Sequence, residues 1–137
     1  MPVTSHLLEP GTPAPDFALL NPVDGRIVRR EEFRGRPGLL VMFLSNECPF
    51  VRHVLAEVSA LTRDYEKRGV GIVAINSNDA AMYPHEAPSF MKVLAEREGW
   101  AFPYLVDSTQ EVAIAFGAVC TPEFFLFGAE GRLAYHG

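Results

Sequence analysis

The sequence predicts a single α/β domain over residues 1–137, with a central mixed β-sheet flanked by helices. Three observations carry that expectation: two unbroken apolar runs, Gly38 to Leu44 and Val70 to Asn76; an amphipathic stretch between them; and two strand-like runs near the end, separated by Gly128-Ala129-Glu130-Gly131. An apolar run without alternation belongs to a strand covered on both faces. Strand, helix and strand then make a crossover unit whose two strands run parallel. The last two runs form an antiparallel hairpin.

The elements follow in order. The first dozen residues carry turn formers, and Gly11-Thr12-Pro13-Ala14-Pro15-Asp16 runs extended because a residue preceding proline is pushed out of the helical region. Phe17 to Leu20 and Ile27 to Arg29 flank Asn21-Pro22-Val23-Asp24-Gly25, whose Asp-Gly pair suits a hairpin reversal. After the first apolar run, Val51, Val54, Leu55, Val58, Leu61 and Tyr65 follow helical spacing, with Arg52, Glu57, Arg63, Asp64 and Lys67 opposite. Pro49 suits the first helical turn, where no amide hydrogen bond is lost. Residues 76–88 read as a surface excursion. A modest helix with Phe90, Met91, Val93 and Leu94 comes next, then a strand from Ala101 to Val106. Ser108 and Glu111 have capping-box spacing for a further helix ending at Gly117, with Val112, Ala115 and Phe116 inward. Pro122 stands at the entry of the strand from Glu123 to Phe127, where it costs no ladder bond.

Composition narrows the function. With 137 residues, 48% hydrophobic and 21% charged, the chain suits one globular core rather than a disordered or repeat protein. A net charge of −5 offers no footprint for nucleic acid or an anionic membrane. No apolar run approaches the roughly 18 residues of a membrane span, and the start lacks a secretory signal. The expected location is cytoplasmic. His6, His53, His85 and His136 are scattered without ligand spacing, so no metal or organic cofactor is implied.

The two cysteines, Cys48 and Cys120, are too few for a disulfide framework and matter, if at all, as reactive thiols. Cys48 follows a buried strand and opens an amphipathic helix, whose unpaired amides favour an anion. A free thiol ionises at a pKa of about 8.5, so even a modest downward shift would single it out at neutral pH. Glu47 opposes that shift; Arg52 and His53 add positive charge if close. Placement alone is equally compatible with a small buried hydrophobe at Cys48, and Cys120 by itself reads as a core thiol.

The pieces in combination resemble the thioredoxin-like redoxin superfamily, which includes the alkyl hydroperoxide reductase and thiol-specific antioxidant group. Gly11-Thr12-Pro13-Ala14-Pro15-Asp16-Phe17 is similar to the redoxin entry motif. Ser45-Asn46-Glu47-Cys48-Pro49-Phe50-Val51 resembles the active-site loop of a bacterial group reading Cys-Asn-His-Cys-Pro-Tyr/Phe-Val. Cys120-Thr121-Pro122 resembles the segment preceding the cis-proline strand. The chain departs from the group at Ser45, which stands where the family has its first cysteine, and at Glu47, which replaces histidine. Serine cannot exchange with a disulfide, so no cycle joins positions 45 and 48.

The resemblance implies a thiol-dependent oxidoreductase with Cys48 as reacting thiolate, Ser45 as its hydroxyl partner and Cys120 as resolving thiol. Thr121, Pro122 and Pro49 would shape the substrate edge. Two chemistries stay open. One is disulfide exchange through Cys48 and Cys120. The other is peroxiredoxin-like peroxide reduction, for which Ser45-x-x-Cys48 fits, although Val41 and Pro122 stand where peroxiredoxins carry proline and arginine. The implied partners are an external thioredoxin-like dithiol reductant and a disulfide or peroxide substrate. The rival is a non-catalytic interaction module retaining the scaffold. The fold usually continues into a helix after its last strand, and here that helix is expected to be missing. Either a partner or a second copy, as a homo-oligomer, then covers the sheet, or the sequence is a truncated form.

Overall fold

The structure of the chain, a computed structural model, describes residues 9–46 and 49–137, without the side chains of residues 49–52. The first eight residues of the entering arm therefore lie outside it. The described part of the arm pairs with the end of the chain, the Gly11 amide donating to Leu133 and the Leu133 amide to Thr12, both at 2.8 Å. The expected edge hairpin follows as β1 (Ala18–Asn21) and β2 (Arg26–Arg29), with Gly25 in the left-handed conformation at φ 75°. Only glycine takes that position without steric cost.

Both apolar runs are strands, and every residue in each is buried: β3 is Gly38–Phe43 and β4 is Gly71–Asn76. They pair in parallel across α1 (Pro49–Lys67), as a crossover requires. Then come α2 (Pro88–Glu98), β5 (Tyr104–Val106), α3 (Glu111–Phe116), β6 (Glu123–Gly128) and β7 (Leu133–His136). The single sheet has the order β2-β1-β5-β4-β3-β6-β7. β5 is shorter than the sequence suggests. Pro103 has no amide to extend the ladder, although its carbonyl accepts the Ala74 amide at 2.9 Å.

Because successive strand side chains alternate, β3 feeds two cores. Leu39, Val41 and Phe43 pack with Val73, Ile75, Phe116, Phe125 and Phe127 on one face; Leu40 and Met42 join Val58, Met91, Leu94 and Tyr104 on the other. Two positions expected to face inward do not: Leu61 is 39% exposed, and Ala115 is exposed on the short α3. On the same helix as Leu61, Ser59 and Thr62 are buried along with Val58.

The expected capping box at Ser108 is not formed. α3 begins later, at Glu111, after Gln110 in a left-handed conformation, with no side-chain cap at that residue. Asp107, 1% exposed, serves instead. Its carboxylate accepts the Val112 and Ala113 amides at 3.3 and 2.9 Å and the Ser77 hydroxyl at 2.7 Å. An aspartate reaching two amides satisfies more of the helix start than a serine reaching one. Asp107→Ala is expected to lower stability by about 1–2 kcal/mol, read as a lower urea midpoint at unchanged slope. Gly117 does close α3 in the left-handed conformation, at φ 72°.

Candidate functional site

The register of β3 against β6 sets the geometry. Phe43, the last residue of β3, lies opposite Glu123, the first of β6. The chain therefore leaves β3 through Leu44-Ser45-Asn46 beside the point where it enters β6 through Cys120-Thr121-Pro122. The Thr121-Pro122 bond is cis. β4 and β5, parallel to β3, end on the same side at Asn76 and Val106. Loops at the carboxyl ends of parallel strands are where α/β folds place their chemistry. Cys48 and Glu47 lie outside the described residues, as does the side chain of Pro49, whose backbone opens α1.

A buried carboxylate organises the exit from β3. Glu86, 7% exposed, accepts the Ser45 hydroxyl at Oε2; its Oε1 accepts the Asn46 amide at 2.7 Å and the Asn76 side-chain amide at 3.0 Å. The Asn46 side chain donates to the His85 carbonyl at 2.9 Å and accepts the Tyr104 hydroxyl at 3.0 Å. Asn76 also donates to the Tyr104 oxygen at 3.3 Å, and its own oxygen accepts the backbone and side-chain amides of Asn78 at 2.9 and 2.8 Å. The bonds that the Glu86 carboxylate accepts are charge-assisted and stronger than the neutral ones around them. Together these bonds tie residues 45–46, directly before the cysteine segment, to the 3-10 turn Pro84–Glu86.

The Ser45 hydroxyl hydrogen is thus directed at Glu86. The resemblance offers Ser45 as a hydroxyl partner of a thiolate or peroxide; in this arrangement its proton goes to the Glu86 carboxylate. Tyr104, fully buried, keeps its proton for Asn46. Burial pushes its phenol far above the ordinary value, the Asn76 hydrogen bond opposes that, and the Glu86 charge reinforces it. The unfolded phenol ionises near pH ~10 and the folded one higher. The stability this proton carries is therefore intact below pH ~10 and is lost as pH rises past that point. Urea midpoints between pH 9 and 11 should fall less steeply in Tyr104→Phe than in the parent.

On the other side of the edge, Cys120 is exposed and Thr121 and Pro122 are half-buried. Cys120 and Thr121 border an open groove of about 330 Å³, with Phe43, Ser77, Asn78, Gln110, Ile114 and Val119 among its walls. Beneath them Glu123, 5% exposed, accepts the Val119 and Cys120 amides at 2.8 and 3.2 Å and the Cys120 thiol at 3.6 Å, all at Oε1. Its Oε2 meets Nε2 of His136, whose side chain is 7% exposed and stacks on Phe125 with ring centroids 4.1 Å apart. His136 Nδ1 is buried without a hydrogen-bond partner among the described residues. A proton there would be an orphaned donor, costing about 1–3 kcal/mol. The ring hydrogen is accordingly assigned to Nε2, donating to Glu123.

Sequence reasoning missed three of these residues. Glu86 sits in a segment that reads as solvated, and its only signal is that the apolar run of β4 ends in a polar residue, Asn76, which needs a buried partner. Glu123 had a clearer one: at period two it shares a face with Phe125 and Phe127, so its carboxylate must point inward. His136 then follows as the only titratable side chain of β7 that is not exposed.

A mixed sheet with a parallel crossover at its centre, a closing hairpin and a cis-proline turn beside the loop after β3 defines a thioredoxin-like redoxin. The thioredoxin domain of a thiol-disulfide oxidoreductase from Bacteroides vulgatus shares the fold, with a TM-score of 0.77 at 18% identity over 94% of this chain and 88% of that one. A conserved protein from Geobacillus kaustophilus is similar with a TM-score of 0.93 and 47% identity, covering 97% of this chain and 70% of the other. The chain belongs to the AhpC/TSA family, whose profile matches residues 10–136. Among curated relatives, the thiol-disulfide oxidoreductase ResA of Geobacillus thermodenitrificans is 29% identical over 123 residues, 90% of this chain. The chain spans 66% of that relative's length.

Proposed function

We propose that the chain is a thiol-dependent oxidoreductase exchanging disulfides through Cys48 and Cys120. The observation that carries this reading is the pairing of Phe43 with Glu123, since Cys48 follows Phe43 by five residues and Cys120 precedes Glu123 by three. The Cys48 thiolate attacks a substrate disulfide, forming a mixed disulfide and releasing one thiol. The Cys120 sulfur then attacks Cys48, closing an internal disulfide and releasing the second thiol. The substrate gains two electrons, the protein loses two, and the thiol protons pass to the products. An external dithiol restores the pair.

Exchange is favoured over peroxide reduction by Ser45. A peroxidase site needs a donor to the reacting oxygen or sulfur, and the Ser45 hydrogen is directed at Glu86. The ResA relatives, themselves thiol-disulfide oxidoreductases, support the same choice. The test compares reduction of a small aromatic disulfide with consumption of hydrogen peroxide in the parent, Cys48→Ser and Cys120→Ser. Disulfide turnover that both variants lose is expected. Faster consumption of peroxide would replace exchange with a peroxidase. Turnover of neither substrate would leave an interaction module.

A further inference from the structure

We infer that Glu123 is the base that takes the proton of Cys120 as its sulfur attacks, and that His136 is the positioning residue that aims Glu123. The inference rests on the reading of Cys120 as a resolving thiol and adds the group that activates it. Glu123 touches the reacting thiol, accepting its hydrogen at 3.6 Å through Oε1. The same oxygen accepts the Val119 and Cys120 amides, which fix it beneath the turn.

Among the described residues, aromatic rings flank the pair. Phe43 stands opposite Glu123 on β3, Phe125 lies face-on to the His136 ring, and Phe116 of α3 packs edge-on against Phe125 at 5.3 Å. On β7, the other neighbour, Tyr135 is 59% exposed, and Gly137 pairs through its backbone with Phe124. The titratable side chains that meet Glu123 among the described residues are Cys120 and His136. The groove beyond Cys120 is lined by polar but uncharged and apolar residues. His136, with its outer nitrogen buried and unpartnered among the described residues, has one use for its ring proton, the bond to Glu123. That bond occupies Oε2, so the oxygen that faces the sulfur is Oε1, on which the Val119 and Cys120 amides also converge.

In the step itself the Cys120 S–H bond breaks and its proton goes to Glu123 Oε1. The sulfur electron pair forms the bond to the Cys48 sulfur, and the bond from Cys48 to the substrate sulfur breaks, its electrons leaving as thiolate. The carboxylic acid then returns its proton to that thiolate or to water at the groove. Positioned bases of this kind contribute about 10²-fold or more. The help matters only while the thiol is protonated, that is below pH ~8.5 for an ordinary cysteine.

The experiment uses 5,5′-dithiobis(2-nitrobenzoate) with the reduced chain and follows thionitrobenzoate release by stopped flow from pH 6 to 9.5. Attack on the reagent gives a first release, and closure of the internal disulfide gives a second whose rate does not depend on reagent concentration and that Cys120→Ser lacks. In Glu123→Gln the second phase should be at least ~10-fold slower at pH 6.5 and within about twofold of the parent at pH 9.5. His136→Phe, which keeps the stack on Phe125, should slow the same phase less and show the same convergence. A Glu123→Gln second phase that matches the parent at all pH values, is slowed equally at all of them, or is faster overturns the proton transfer. A parent chain that forms its mixed disulfide but shows no second release instead overturns the pairing of Cys48 with Cys120.

Discussion

Cys48→Ser is expected to abolish disulfide reduction, lowering the rate by at least about 10³-fold, a loss typical of removing a nucleophile. A serine oxygen neither ionises near neutral pH nor exchanges with a disulfide, so no slower version of the same path remains. Cys120→Ser should behave differently. The first thiol is still released, and the mixed disulfide then accumulates on Cys48 as an adduct visible by intact mass. This asymmetry separates attacking from resolving thiol, and activity assays of the two variants check it. Equal and partial losses would place neither cysteine at the centre.

Glu86→Ala should have the largest effect on stability. The carboxylate accepts from the Ser45 hydroxyl, the Asn46 amide and the Asn76 side chain, all in or beside the interior. Removing it strands several donors at about 1–3 kcal/mol each where water does not replace it. A total loss of about 3 kcal/mol is expected, a large share of the roughly 5–15 kcal/mol that holds a domain together. The rate of disulfide reduction should fall as well, by about tenfold to a hundredfold, because residues 45–46 carry the chain into the cysteine segment and small misplacements there are costly. Glu86→Gln keeps the shape and one acceptor and should lose less of both. Denaturant unfolding and single-turnover kinetics on the two variants distinguish positioning from simple instability.

The parts of the fold legible in the sequence were those with one dominant cause. Runs such as Gly38 to Phe43 have no polar residue to satisfy and can only be central strands. The Asp24-Gly25 turn and the Gly117 helix end each rest on one residue's conformational freedom. The α3 cap was misread because Ser108 and Asp107 compete for the same amides, and the longer reach of a buried Asp107 is a tertiary fact. The site divides in the same way. Cys120 and the proline after it were visible as neighbours in sequence. Glu86 and the Glu123–His136 pair were not, because their partners stand 41 and 13 residues away. Burying such groups is favourable only once the sheet has brought those partners together. A distant histidine without ligand spacing reads as surface until β6 and β7 are paired.

The most direct measurement is tryptic mapping of the oxidised chain without reductant. Cys48 falls in the peptide 35–52, since the Arg36-Pro37 bond resists cleavage, and Cys120 falls in 98–132. An intramolecular redox pair predicts a single cross-linked species of these two peptides from monomeric protein, two hydrogens lighter than their sum and split by dithiothreitol. Recovery of both peptides with unmodified thiols after exposure to a disulfide substrate, or of the bridge only between separate copies of the chain, would contradict it.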